Sequence, residues 1–198
     1  MESLDELLVK AEQAHGHLCA GQILGVRMAL LGLARLGIGD PRGADRKRLI
    51  TYVEIDRCAT DAIALVTGCR LGKRALKFRD WGKMAATFVD LQSSRAVRVV
   101  AREDSRELAQ QLYPNLKKKQ QQMQAYRELP DAQLFSEQNV QVAVNAADMP
   151  GSRGERQSCA RCGEGVNFGR VEVVDGETLC LACAHPEQRY WQTAGPQD

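Results

Sequence analysis

Four cysteines near the C-terminus constrain this chain more than any other feature. Cys159-Ala-Arg-Cys162 and Cys180-Leu-Ala-Cys183 read C-x2-C, seventeen residues, C-x2-C. Each C-x2-C turn presents two sulfurs, and four thiolates suit tetrahedral Zn2+ at about 2.3 Å. Protein fills all four positions, so such a site is structural and leaves no place for a substrate water. The insert carries Arg170-Val-Glu-Val-Val174 and the turn Asp175-Gly176, which predicts a small hairpin between two knuckles. His185-Pro-Glu can open a short helix after the last cysteine. Knuckle, hairpin, knuckle and helix describe a treble clef or zinc ribbon. Each C-x-x-C alone could be a redox dithiol, but the pair at this spacing favours zinc. A segment below about 40 residues usually needs such a metal to fold. His185 is a rival ligand that the complete cysteine set does not require.

The rest of the chain needs no staple. The 198 residues are 44% hydrophobic and 26% charged, an ordinary globular composition. A domain of about 150 residues buries roughly 68–70% of its unfolded surface. Formal charge is +2, from 27 basic and 25 acidic residues. That balance argues against a dominant contact with nucleic acid or anionic lipid. The acidic start lacks a signal-peptide core. The most apolar run, Ile23 to Leu36, is broken by Arg27 and Arg35, and is shorter than the roughly 20 residues of a bilayer span. We therefore expect a cytoplasmic protein with no membrane contact, whose seven cysteines serve metal or thiol chemistry rather than disulfides.

Periodicity sets out the first domain. Leu4, Leu7, Leu8 and Ala11 predict a helix capped by Ser3 or Asp5. A second helix spans about Ala20 to Leu36, apolar nearly all round and therefore central, and stops at Gly37. Leu49 to Ile55 reads as a strand and Cys58 to Val66 as a helix. Residues 75–79, 86–90 and 96–101 read as strands, the last two forming a hairpin. Helices follow over about 105–112 and 116–129, separated by Pro114. Gln138 to Val144 alternates, predicting a final strand with one wet face. The fold expected is an α+β core, helices packed on a mainly antiparallel sheet, over residues 1–146. A polar linker, 147–157, and a four-cysteine domain, 158–198, complete it.

The other three cysteines lie at element ends, where sites form. Cys19 and Cys58 sit at predicted helix starts, where the helix dipole favours thiolate. Cys69 sits in the turn Thr-Gly-Cys-Arg-Leu-Gly. His17 lies two residues before Cys19, so both side chains can face one way. His17, Cys19, Cys58 and Cys69 thus form a candidate core site for zinc or another transition metal. Cys58 or Cys19 is alternatively a nucleophile or redox thiol with His17 as base. Cys69 alone can equally be a small buried hydrophobe. His15 is expected to support the site rather than ligate. Asp61 reads as a helix cap or as a proton acceptor, and Glu54 and Asp56 as acids facing together. Gly68 to Lys73 departs from a phosphate-loop pattern in spacing and follows a helix. Lys117-Lys-Lys-Gln-Gln-Gln reads as a solvated face.

The run His15-Gly-His-Leu-Cys-Ala-Gly-Gln-Ile-Leu-Gly25 resembles the opening motif of the FmdE family of formylmethanofuran dehydrogenase components. Glu54-Ile-Asp-Arg-Cys-Ala-Thr-Asp-Ala-Ile63, Thr67-Gly-Cys-Arg-Leu-Gly-Lys73 and Asp80-Trp-Gly-Lys-Met-Ala85 are similar to its later motifs, in order. Ala20 stands where the family often has proline. The resemblance implies a dimerising α+β core with a metal or thiol site at His17, Cys19, Cys58 and Cys69, with Asp61 and Lys73 nearby. It implies a molybdenum or tungsten enzyme as partner, whose pterin chemistry belongs to other, larger polypeptides. The reading adopted is a homodimeric, metal-binding accessory protein of one-carbon or molybdenum-enzyme metabolism, with structural zinc in its tail. A thiol-dependent enzyme and a regulatory module acting through the finger are the rivals. The tail mixes Arg161, Arg170 and Arg189 with Glu164, Glu172, Asp175 and Glu187, which favours a protein partner over DNA.

Overall fold

The computed structural model describes residues 2–152 and 154–192. Residues 193–198, which the sequence assigns to the finger, lie outside the described residues. The chain divides into two units, at residues 1–143 and 144–198.

In the first unit, α1 (Leu4–His15) begins at Ser3. The Glu6 N–H donates to Ser3 Oγ, and the Ser3 N–H donates to Glu6 Oε2 at 2.8 Å. This reciprocal box satisfies two orphan donors of the first turn. The following helix, α2 (Ala20–Leu36), is buried on most of its surface and ends at Gly37, φ +69°. Glycine takes that left-handed conformation without a Cβ penalty. Strands β1 (Leu49–Val53), β2 (Leu76–Phe78), β3 (Ala85–Asp90), β4 (Ala96–Ala101) and β5 (Phe135–Val140) form one sheet. Its order is β2-β1-β3-β4-β5. The β1–β2 pair is parallel and the other pairs are antiparallel. Helix α3 (Cys58–Thr67) lies in the crossover between the parallel strands, as a parallel pair requires. Helices α4 (Ser105–Leu112), α5 (Lys118–Glu128) and α6 (Asp131–Leu134) intervene between β4 and β5.

Register sorts the sheet into two faces. Thr51 pairs with Phe88, and Phe88 with Val97; all three are buried. On the next row Tyr52 pairs with Thr87, Thr87 with Arg98, and Arg98 with Gln138. The alternation of a strand puts that polar row on the opposite face. Helix α2 lies against the apolar row. A Cβ on Gly32 would stand 2.2 Å from the Phe88 ring, and one on Gly25 would stand 2.4 Å from the Ala59 carbonyl. These two glycines let α2 touch the sheet and α3 at once. Burial of each large side chain in this core, such as Ile23, Leu33 or Phe88, contributes about 1.5–3 kcal/mol.

Three boundaries differ from expectation. Strand β1 stops at Val53 rather than residue 55. The final strand is 135–140, not 138–144, because Ala96, the first residue of β4, already pairs with Val140; beyond it the edge has no partner. Residues expected as linker include a 3-10 turn, Ala146–Asp148, and the strand β6 (Arg156–Ser158).

The second unit holds two small hairpins. Strand β6 pairs with β7 (Gly165–Asn167), and β8 (Val171–Val174) with β9 (Glu177–Cys180). The β8–β9 turn has Asp175 at φ +51° and Gly176 at φ +84°, the two positive angles of a type I′ turn. The last cysteine lies within α7 (Leu181–Ala184). The helix expected after His185 therefore starts earlier, inside the second knuckle. Among the described residues, no helix is long and apolar enough to cross a membrane.

Candidate functional site

The four tail cysteines converge. Cys159 follows β6 and Cys162 closes the first knuckle, while Cys180 ends β9 and Cys183 follows on α7. Their sulfurs all lie within 4.8 Å of one another, and Cys162 Sγ is 4.0 Å from Cys180 Sγ. A tetrahedron with bonds of about 2.3 Å has edges of about 3.8 Å, so the donor set fits zinc in size as well as chemistry. The surroundings suit thiolate. N–H groups of Cys162 and Cys180 hold the Cys159 thiol down to about 6. At Cys162 the Glu164 N–H also favours thiolate, but burial and three neighbouring sulfurs prevail and push it up to about 12. A cation is what relieves such crowding of sulfurs. Arg189 Nη2 lies 3.4 Å from Cys183 Sγ, and Arg161 Nη1 donates to the Cys183 carbonyl at 2.6 Å. Both brace the second knuckle. His185 Nε2 lies 2.7 Å from a Glu172 carboxylate oxygen, so its ring is engaged away from the sulfurs.

The core cysteines separate into a pair and a single. Cys19 occupies the N-cap of α2, and Cys58 is the first residue of α3. Both are half-buried, and their thiols interact. The gap between them is lined by Gly21, whose added Cβ would lie 3.5 Å from Cys58 Cβ and 3.7 Å from Cys19 Sγ. Helix dipoles alone predict lowered thiols here. Burial, followed by the neighbouring Cys19, instead raises the Cys58 thiol. Gln22 positions Cys19: its Oε1 accepts the Cys19 N–H at 3.3 Å, and its Nε2 donates to the Ala11 carbonyl at 3.0 Å. That glutamine is 1% exposed. Sequence reasoning passed over it, although a glutamine three residues after an N-cap is a capping-box signal.

His15 and His17 flank this pair at the end of α1. Their ring centroids are 5.1 Å apart, and His15 Nδ1 lies 3.0 Å from Asp61 Oδ2. Asp61 thus ties α1 to α3 rather than capping its own helix, which has no side-chain cap. Cys69 is placed elsewhere. It is 3% exposed, with Thr51 Oγ1 donating to its sulfur at 3.5 Å and the Leu49 carbonyl 3.7 Å away. Burial raises its thiol. Among the described residues, the tail cysteines alone gather three or more ligand atoms within 4.8 Å. The two expected acids also part company. Glu54 is buried against Arg98, whereas Asp56 is exposed. Lys73 is exposed on the 3-10 turn Leu71–Lys73.

The model of the family described as FmdE, Molybdenum formylmethanofuran dehydrogenase operon, matches residues 14–150. The chain belongs to this FmdE family. A second model, the prokaryotic dksA/traR C4-type zinc finger, matches residues 151–189, the stretch holding the converged sulfurs. A crystal structure of an FmdE-like protein of tungsten formylmethanofuran dehydrogenase, from Syntrophus aciditrophicus, has a TM-score of 0.63 at 23% identity, covering 95% of each chain. That likeness is one of fold. A protein from Archaeoglobus fulgidus named probable S-adenosyl-L-methionine-binding protein is 37% identical over 97 residues, 48% of this chain. The matched stretch covers 26% of that relative, so this chain spans about a quarter of its length. The present FmdE protein therefore joins a family core to a C4 finger.

Proposed function

We propose that this FmdE protein is a homodimeric, cytoplasmic metal-binding accessory protein of one-carbon or molybdenum-enzyme metabolism. Its finger holds a structural zinc, and its core holds a metal or thiolate site at Cys19 and Cys58 with His17 alongside. The observation that carries the reading is the meeting of Cys19 and Cys58 at two helix starts, across a glycine that leaves the space between them open. Two soft ligands already side by side need one or two further donors to hold a thiophilic metal. Cys69, bonded within the core, supports the packing of α3 rather than ligating. The family's operon supplies the link to a molybdenum or tungsten enzyme as partner.

Metal stoichiometry tests this. Full-length protein should carry two metals per chain, Cys58→Ser one, and Cys162→Ser one. Unchanged metal in Cys58→Ser would sink the metal reading. The same thiol contact favours one alternative, a thiol-dependent enzyme using Cys58 or Cys19 with His17. That reading requires alkylation of one of the pair well above the rate of an ordinary free thiol.

A further inference from the structure

The polar face of the sheet carries a cleft that neither cysteine site uses. It encloses about 330 Å³, at the small end of the range for small-molecule sites. Its floor is the cross-strand row of Tyr52, Thr87 and Arg98. Its wall is the loop bearing Arg79 and Trp81. Glu54 anchors that wall, since its carbonyl accepts the N–H groups of Trp81 at 3.3 Å and Lys83 at 3.0 Å.

Charge and aromatic surface coincide there. Residues 70–83 hold Arg70, Lys73, Arg74, Lys77, Arg79 and Lys83 against Asp80 alone, in a chain whose formal charge is only +2. Glu54 is consumed by Arg98, so it does not neutralise the wall. Among the described residues, neither Arg79 nor Lys83 has a carboxylate within ion-pair distance. Each instead lies over a ring: Arg79 is 5.9 Å from the Tyr52 centroid and Lys83 is 5.7 Å from that of Trp81. The Trp81 side of the wall is open, with the residue 61% exposed. An exposed indole beside uncompensated cations offers stacking and anion binding within one ligand's reach.

We propose that this cleft binds a planar-ring anion of the phosphorylated-heterocycle class, the ring against Trp81 or Tyr52 and the phosphates on Arg79 and Lys83. The site lies apart from the cysteines, so it stands whether or not the core binds metal. Full-length Trp191→Phe protein leaves Trp81 as the only tryptophan, and its fluorescence reads the site. ADP should quench it saturably, with adenosine and inorganic pyrophosphate each binding at least tenfold more weakly. Arg79→Ala and Lys83→Ala, both on the surface, should each weaken ADP at least fivefold with an unchanged circular-dichroism spectrum. Pyrophosphate binding as tightly as ADP would reduce the cleft to a plain phosphate site and overturn the ring component. No saturable response to ADP at 1 mM, or equal affinity in both variants, would overturn the proposal.

Discussion

The guanidinium of Arg98 grips the carboxylate of Glu54 through two hydrogen bonds of 2.6 Å each. Glu54 is 2% exposed, so this pair is insulated from water. Truncating one partner of a buried pair leaves a charge unmatched, which costs about 3–5 kcal/mol. Arg98→Ala should therefore lower the urea midpoint by that equivalent. It should also loosen the 79–83 loop that hangs on the Glu54 carbonyl. Arg98→Met at wild-type stability would show that the pair is dispensable.

Asp90 gives a pH signature. Burial by itself raises its carboxyl, but Arg48, Ser93 and the Gln92 N–H prevail and lower it to about 2. A group lowered on folding stabilises above its unfolded pKa of about 3.9. That contribution, about 2 kcal/mol, disappears as pH falls through the folded value. Asp90→Asn should be less stable than wild type by this amount at pH 7. The difference should close between about pH 4 and pH 2, read by urea unfolding of both proteins at each pH. A gap that stays constant through pH 2 would assign it to shape rather than charge.

Gly25→Ala sets two effects against each other. Alanine gains about 1 kcal/mol of helix propensity over glycine. Yet its Cβ would meet the Ala59 carbonyl at 2.4 Å and the Ala59 Cα at 2.8 Å. Backbone cannot rotate away, and overpacking costs about 1–3 kcal/mol. A net loss of thermal stability is expected. Because Ala59 adjoins Cys58, the rate of Cys19–Cys58 cross-linking by a short bis-maleimide should change as well. A rise in Tm would show that α2 and α3 are not in this contact.

Zinc removal should act on the second unit. Its core amounts to Leu179, Val166, Val174 and the cysteines, too little for independent stability. Chelation should abolish the dispersed methyl signals of Leu179 while those of Phe88 contacts in the first unit persist. Cys162→Ser should reproduce this without chelator. Retention of Leu179 dispersion after complete zinc loss would contradict a structural metal.

Local chemistry was legible. Helix α2 could be bounded from Cys19 to Gly37, and the finger from spacing alone, because caps and knuckles are written in adjacent residues. Partnerships across long separations were not. Asp61 finds His15 over 46 residues, and Glu54 finds Arg98 over 44, so neither acid shows its role in its neighbours. The end of β5 is set by where β4 begins, a fact absent from the alternation of residues 138–144. The helix dipole was a sound argument for Cys58, but burial outweighed it.

Helix α3 starts beside one thiol and is followed by another in an opposite environment. Cys69 is closed in behind Thr51 and the Leu49 carbonyl, so a reagent reaches it only when β1 parts from the helix layer. Its labelling rate is therefore a clock on opening of the whole core. The chain carries its own gauge of folding, independent of whatever occupies Cys19 and Cys58.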